Sequence, residues 1–237
     1  MPAKTPPGLV ILTGAGISRE SGLATFRDPD GAWAKHRIED VATPEAFRRD
    51  PALVHAFYNA RRAQLAEVAP NAAHLALAEL ERQWRGDFLL VTQNVDDLHN
   101  RAGSRNLVQM HGALRRARCL HCEAVHPWDA PLSTATPCPA CAKAGGMRPD
   151  IVWFGEMPVE MGRIGMALET CGLFVSIGTS GNVYPAAGFV AEVADRAWTV
   201  ELNLEPSLGH SRFEEARQGP ATQLVPALVE ELLSQWA

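Results

Sequence analysis

The feature that most limits what this chain can fold into is Leu9-Val10-Ile11-Leu12, which runs straight into Thr13-Gly14-Ala15-Gly16-Ile17-Ser18. Consecutive apolar residues without alternation fit a strand covered on both faces, and such strands belong to parallel sheets. A Gly-x-Gly turn at the strand's end, followed by a Ser, is the pattern of a helix start that receives a phosphate. Glycine at both positions lets the main chain approach a ligand, and the helix would aim unpaired N–H groups and its positive end at a pyrophosphate. The turn alone does not decide, because Gly-x-Gly after an apolar run also occurs in chains that bind no nucleotide. The usual dinucleotide fingerprint has a third glycine where Arg19 stands, and the next glycine is Gly22, so the match to an ordinary dehydrogenase is poor.

With 237 residues, 46% hydrophobic and 21% charged, the chain can bury a sizeable core, which excludes a disordered coil and predicts one domain with a smaller inserted module. The formal net charge of −5 argues against a general nucleic-acid binder, so no direct nucleic-acid partner is expected. The basic run Arg115-Arg116-Ala117-Arg118 reads as a solvated face. No apolar run approaches the roughly 18 residues of a membrane span, and Met1-Pro2-Ala3-Lys4 opens no signal-peptide core. The expectation is a cytoplasmic protein with no membrane partner.

Further apolar runs also end in polar residues. A helix is expected from about Leu53 to Val68, with Phe57, Leu65 and Val68 inward and Tyr58 and Arg61, three apart, on one side. A second helix starts at an Asn71 cap and stops at Gly86, before a buried strand Phe88 to Thr92. That strand delivers Gln93-Asn94-Val95-Asp96, and ligands in open parallel sheets collect beyond the strands' carboxyl ends, beside residues 14–18. Asn106 to Met110 is a short strand delivering His111-Gly112. A helix Val159 to Glu169 leads to a strand Leu173 to Ile177, which ends in Gly178-Thr179-Ser180. A helix Pro185 to Arg196, a strand Trp198 to Asn203 and a closing helix from Pro226 to about Trp236 complete the chain. The alternation predicts an α/β protein with a parallel, doubly wound sheet.

The composition changes at Cys119-Leu120-His121-Cys122, followed after 15 residues by Cys138-Pro139-Ala140-Cys141. Two Cys-x-x-Cys knuckles at this spacing predict a zinc ribbon, since each turns two thiolates toward one ion. A disulfide pair is the competing reading, and a reducing compartment disfavours it. Four thiolates close the coordination shell, so the expected zinc is structural, with no open position for metal-bound water. His121 is a competing ligand that the spacing does not require.

Gly14-Ala15-Gly16-Ile17-Ser18, Ser21-Gly22-Leu23-Ala24, Thr25-Phe26-Arg27-Asp28, Gln93-Asn94-Val95-Asp96, His111-Gly112, the cysteine knuckles and Val152-Trp153-Phe154-Gly155-Glu156 follow one another along the chain. In this order and spacing they resemble the sirtuins, the NAD-consuming protein deacylases. Leu23 and Ala24 stand where that pattern often has Ile and Pro. The resemblance runs from Gly14 to Ala221 and implies a single catalytic domain. Residues 1–34, 70–112 and 150–237 would form a Rossmann-like NAD-binding part, 35–69 a helical insertion and 113–149 the zinc-ribbon insertion. It implies NAD as co-substrate, one structural zinc and acyl-lysine side chains of proteins as substrate. The acyl oxygen attacks the ribose carbon as nicotinamide leaves, and a histidine then takes a ribose hydroxyl proton on the way to O-acyl-ADP-ribose and free lysine.

By the same resemblance His111 is the catalytic base. Gly14, Ala15, Gly16, Ile17 and Ser18 line the phosphate region, Phe26 and Arg27 cover the nicotinamide end, and Trp33 is a further cofactor-binding residue. Gln93, Asn94, Val95 and Asp96 surround the ribose and nicotinamide, while Gly178, Thr179, Ser180, Asn203, Leu204, Glu205 and Ala221 hold the phosphates and adenosine. Val152, Phe154 and Gly155 receive the substrate peptide as an added strand. Tyr58-Asn59-Ala60-Arg61 reproduces the Tyr-x-x-Arg of sirtuins that prefer succinyl- and malonyl-lysine, and Ala42 matches a small residue that leaves room for a longer acyl chain. A dehydrogenase, a sirtuin-like mono-ADP-ribosyltransferase and a zinc-ribbon binding module are the alternatives; the last leaves the polar strand ends unexplained.

Overall fold

The computed structural model describes residues 5–23 and 36–236. In chain order the strands are β1 (Gly8–Thr13), β2 (Phe88–Thr92), β3 (Leu107–Gln109), β4 (Gly112–Cys119), β5 (Val125–Pro127), β6 (Met147–Ile151), β7 (Cys171–Ile177), β8 (Trp198–Asn203) and β9 (Glu215–Gln218). The α-helices are α1 (Gly16–Arg19), α2 (Ile38–Val41), α3 (Pro44–Arg49), α4 (Pro51–Gln64), α5 (Ala72–Gln83), α6 (Leu98–Ala102), α7 (Met161–Glu169), α8 (Phe189–Val193) and α9 (Ala221–Trp236).

β1 lies at the middle of a parallel sheet of order β3-β2-β1-β7-β8-β9. Because alternate strand residues point to opposite faces, its apolar run serves two cores. Leu9 and Ile11 pack with Leu77 and Leu80 of α5 and with Leu228 and Leu232 of α9. Val10 and Leu12 pack on the other face with Ile164 and Leu168 of α7 and with Phe189 and Val193 of α8. The sheet is therefore doubly wound, and the chain's direction of travel across it reverses between β1 and β7. The carboxyl ends at that reversal, Thr13 and Ile177, are where such a sheet leaves a crevice.

A second, antiparallel sheet of order β5-β4-β6 connects this crevice to the cysteine knuckles. β4 and β6 pair Gly112 with Ile151 at one end and Cys119 with Met147 at the other, with an irregularity between. Helices α2 to α4 pack over the crevice end: Val41, Phe47, Val54, Phe57, Tyr58 and Leu65 form one core with Leu114, Ile151 and Trp153. Their starts are set by Thr43-Pro44 and Asp50-Pro51, where Thr43 Oγ1 accepts from Ala46 N at 3.0 Å and Asp50 Oδ1 from Leu53 N at 2.9 Å.

Several expected elements differ. α4 covers 51–64, so Val68 falls beyond it. The stretch 185–196 is a 3-10 turn over 186–188 leading into the short α8. The last helix begins at Ala221 and carries Pro226 inside it. Burial of Val225, Leu228, Val229 and Leu232 along one stripe outweighs the main-chain bond that Pro226 cannot make. β9 has no apolar run to announce it; it is a half-exposed edge strand beside β8. Arg115 to Arg118 is not a plain solvated face: Arg116 and Arg118 both pair with the buried Asp150, and Arg115 pairs with Asp97 and Asp129. Among the described residues no helix is long and apolar enough to cross a membrane.

Candidate active site

Beyond the ends of β1, β2 and β7 lies one continuous cleft of about 1090 Å³. Gly14, Ala15, Gly16, Ser18, Gln93, Asn94, Val95, Asp96, His111, Gly178, Thr179, Ser180, Asn203, Leu204, Glu205 and Ala221 line it, as do Ala42, Tyr58, Arg61, Val152, Phe154 and Gly155. Ile17 does not: its side chain is fully buried among Leu77, Ile177 and Val225. Phe26, Arg27 and Trp33 lie outside the described residues.

The turn after β1 works differently from the expected helix-dipole cradle. α1 is a single turn, and its N–H groups are already committed: Gly16 N donates to Gly178 O at 2.9 Å, Ile17 N to Gly14 O at 3.2 Å and Ser18 N to Ala15 O at 3.2 Å. The glycines are needed because two loops touch main chain to main chain. A Cβ on Gly16 would stand 2.7 Å from Gly178 Cα, and Gly178 itself has a φ of +62°, which disfavours a side chain. The cleft floor is therefore bare backbone, open to a ligand's close approach.

Polar groups stand on that floor in a connected set. Asn94 Nδ2 donates to Gly14 O at 3.1 Å and to Ser18 Oγ at 3.2 Å, and Ser18 Oγ donates to Asp96 Oδ2 at 2.9 Å. Asp96 also accepts from Leu98 N at 3.0 Å; burial raises its pKa above the ordinary carboxylate value, against these hydrogen bonds. Beneath lie His74 and His99, edge to face at 4.8 Å, with His99 Nε2 3.0 Å from Thr13 Oγ1 and His74 Nε2 3.5 Å from Ser18 Oγ. His74 Nδ1 faces Asn71 from the other side, 3.0 Å from its Oδ1 and 3.3 Å from its N. Burial holds both histidines neutral, with the His74 pKa pushed down to about 4 and that of His99 well below its ordinary value. Neither histidine was singled out from sequence for this role; His74 sits among apolar residues in α5, and His99 stands between Leu98 and Asn100 in the short α6.

His111 is placed by its neighbours. Its Nδ1 lies 3.0 Å from Gln93 O, and a carbonyl only accepts, so Nδ1 carries the hydrogen and Nε2 is the basic nitrogen. Burial lowers the pKa of this imidazole, opposed by the Gln93 bond. Gly112 follows with a φ of +81°, and a Cβ there would collide with the Asp150 carbonyl across the β4–β6 pair. At the neighbouring wall the N–H groups of Val152, Trp153 and Phe154 are committed to His111 O at 2.9 Å, Glu156 Oε2 at 2.8 Å and Ala42 O at 3.0 Å. A peptide adding as a strand would have to find its ladder bonds at other groups of this segment.

At the far end of the cleft, Tyr58 is buried and accepts a hydrogen bond from Trp153 Nε1 at 3.0 Å. Burial raises the Tyr58 pKa to about 12 and lowers that of Arg61, whose charge is favoured by Tyr58 and Asp96. Trp153 was not among the residues expected to matter; in Ile151-Val152-Trp153-Phe154 it reads as one more core aromatic.

The four cysteines 119, 122, 138 and 141 bring their sulfurs within 4.8 Å of one another. Cys119 and Cys141 lie 3.8 Å apart and Cys122 and Cys138 3.7 Å, far beyond a disulfide bond and close to the edge of about 3.8 Å of a tetrahedron built on 2.3 Å Zn–S bonds. The two knuckles repeat one geometry. His121 N points at Cys119 Sγ at 3.3 Å and Ala140 N at Cys138 Sγ at 3.4 Å, and each knuckle closes on a left-handed residue, Glu123 and Ala142. His121 turns its ring to Ala144 O at 3.2 Å rather than into the cluster, and Cys171 lies in β7. The donor set fits one structural zinc.

The Sir2 family profile matches residues 14–185. The NAD-dependent protein deacylase of Bdellovibrio bacteriovorus is 59% identical over 227 residues, 95% of this chain and 96% of that protein. The NAD-dependent protein deacylase of Escherichia coli K12 is 55% identical over 234 residues, 98% of this chain and 84% of that protein. Among solved structures, a Sir2 homolog in complex with NAD aligns with a TM-score of 0.88 at 37% identity, covering 97% of this chain and 90% of that one. A Sir2 protein bound to an acetylated peptide aligns with a TM-score of 0.78 at 27% identity, covering 94% and 92%. A profile that spans most of the length, joined to relatives identical at more than half of their positions, makes this chain a member of the Sir2 family.

Proposed function

We propose that this protein is an NAD-dependent protein-lysine deacylase that releases nicotinamide and O-acyl-ADP-ribose, with His111 as its base. The observation that carries the reading is the His111–Gln93 bond, which leaves a neutral imidazole with its basic Nε2 at the cleft. When bound, NAD supplies the ribose carbon that takes the acyl oxygen and the ribose hydroxyl that gives up a proton. Ser18, Asn94 and Asp96 present a pre-ordered polar surface to the ribose and nicotinamide side. The glycine floor at Gly14, Gly16 and Gly178 leaves room for the phosphates, and Ser180, Asn203 and Glu205 stand along the adenosine side. Phe26, Arg27 and Trp33 remain part of the proposal on sequence grounds alone. The division into an NAD-binding part (1–34, 70–112, 150–237) with insertions at 35–69 and 113–149 belongs to the same proposal. So does a cytoplasmic location, which cysteines arranged for a metal rather than for disulfides favour.

Acyl range is the finer part of the proposal. Tyr58 and Arg61 reach the same cleft as His111, beside the small Ala42, so a succinyl or malonyl carboxylate can be met by a guanidinium fork and a phenol. Incubating the zinc-loaded protein with NAD and acetyl-, succinyl- and malonyl-lysine peptides, with products identified by mass, tests both levels. Nicotinamide, O-acyl-ADP-ribose and free lysine are the expected products. ADP-ribose on protein with the peptide untouched would make it a mono-ADP-ribosyltransferase, and accumulation of NADH a dehydrogenase.

A further inference from the structure

Tyr58 can serve a carboxylate only as a donor, and the structure contains a device that makes it one. An indole N–H can only donate, so in the 3.0 Å bond between Trp153 Nε1 and Tyr58 Oη the phenol oxygen is the acceptor. Its own hydrogen is thereby left for another partner, and with a pKa near 12 the phenol keeps that hydrogen at any working pH. The indole is itself held by two neighbours. The Arg148 guanidinium carbon lies 3.4 Å from the centre of the Trp153 ring, and the Phe47 ring leans on it at 5.4 Å. Arg148 is fixed in turn by Glu156, at 2.7 and 2.9 Å, and by Ile151 O at 2.6 Å, while Glu156 also receives Trp153 N at 2.8 Å. Tyr58, Trp153, Arg148 and Phe47 are all buried, and Glu156 reaches them from the edge of the cleft.

We propose that Trp153 is a positioning residue for acidic acyl groups: its N–H holds the Tyr58 oxygen as acceptor and turns the phenol hydrogen toward the distal carboxylate that Arg61 receives. The inference rests on the reading of Tyr58 and Arg61 as the carboxylate pair. Without the indole N–H, the buried phenol oxygen would seek another donor, and Arg61 lines the same cleft one helical turn away. A guanidinium hydrogen turned to Tyr58 is then lost to the substrate. Selectivity for acidic over neutral acyl groups would thus depend on an atom that does not itself touch the carboxylate.

Trp153→Phe retains an aromatic ring beside Arg148 and Phe47 and removes the N–H. Site-specific replacement of Trp153 by benzothienylalanine, which exchanges N–H for sulfur in a ring of nearly the same shape, does so without a cavity. Constants for succinyl- and acetyl-lysine peptides are measured for both, alone and with Tyr58→Phe, together with the dissociation constant of the succinyl peptide. The succinyl-over-acetyl ratio of kcat/KM is expected to fall about three- to tenfold, mostly through the Michaelis constant, in the wild-type background and to stay unchanged by either replacement where Tyr58 is already Phe. A loss that falls equally on both peptides, or one that persists in the Tyr58→Phe background, overturns the proposal. Arg61→Met separates the two levels. If it lowers the ratio while Trp153 changes do not, Trp153 has no such role and the carboxylate pair stands; if it affects both peptides equally, the carboxylate pair itself is wrong.

Discussion

Lowering the pH should loosen the protein from beneath its cleft, through His74. The side chain is fully buried, and its pKa of about 4 reflects burial of a ring that cannot be charged there. An unfolded histidine titrates near 6.5, so below that pH the unfolded state binds a proton that the folded state refuses, and stability falls as pH falls. The depressed folded pKa sets the window: full stabilisation above about 6.5, progressive loss between there and about 4, and no further loss below. The gap amounts to about 3 kcal/mol at its lower end and about 2 kcal/mol at pH 5. His99, lowered in the same direction by the same cause, adds to it. Urea unfolding at pH 7.5 and pH 5.0, with zinc present, compares wild type with His74→Gln. Zinc loss and carboxylate titration affect both proteins, so the difference isolates His74. Wild type should lose about 2 kcal/mol more than the variant over that interval. Parallel losses would refute the assignment of a neutral, buried His74 under Ser18.

His111→Tyr should leave a folded, NAD-binding protein whose deacylation falls at least about a hundredfold, checked by single-turnover assay and NAD titration. Because burial lowers the His111 pKa, the acid limb of kcat/KM should lie below the ordinary imidazole value, with activity lost as the base is protonated; a limb above it would contradict burial as the dominant influence on this imidazole. Replacing Cys119 or Cys141 by Ser should remove zinc and lower the melting temperature together, and one retained equivalent of zinc with unchanged melting would exclude the site. Arg61→Met should cost desuccinylation about ten- to a hundredfold, the range of a lost charge-assisted bond, and deacetylation far less, read from kcat/KM on matched peptides.

The sheet could be read in the sequence because β1 must satisfy two cores at once, and only an unbroken apolar run does so. β9 could not, because Glu215-Ala-Arg-Gln218 carries no burial signal and is a strand only through its neighbour β8. At the site, residues at strand ends were legible for the same reason as the strands. Those that act by contact across the chain were not: the spacing of Tyr58 and Trp153, or of Ser18 and His74, has no local periodicity. The glycine turn was legible in kind and misleading in cause. The sequence suggested a helix that offers N–H groups to phosphate, whereas the structure commits those N–H groups and uses the glycines to bring two backbones together.

The cysteine cluster lies at the end of the antiparallel module away from the cleft, and four thiolates would leave a zinc no open position, yet this module sets two walls of the site. β4 runs from Cys119 back to Gly112, next to His111, and β6 runs from Met147 to Ile151 and into the Val152 to Glu156 wall. α4 is tied to the same module by the side chains that alternate with Tyr58 and Arg61. Asn59 exchanges two bonds of 2.8 Å with the main chain of Leu132, and the buried Arg62 donates to Leu114 O at 2.7 Å and to Asn59 Oδ1 at 2.9 Å. The 130–132 loop is anchored by Leu132, which packs with Cys119 and Cys138 in the small core around the cluster. The folded module therefore holds α4 and the Trp153 wall against each other. If Tyr58 and Arg61 select succinyl groups as proposed, a protein stripped of metal should lose that selectivity along with stability, read from kcat/KM on succinyl and acetyl peptides before and after chelation, although none of the four cysteines lines the cleft.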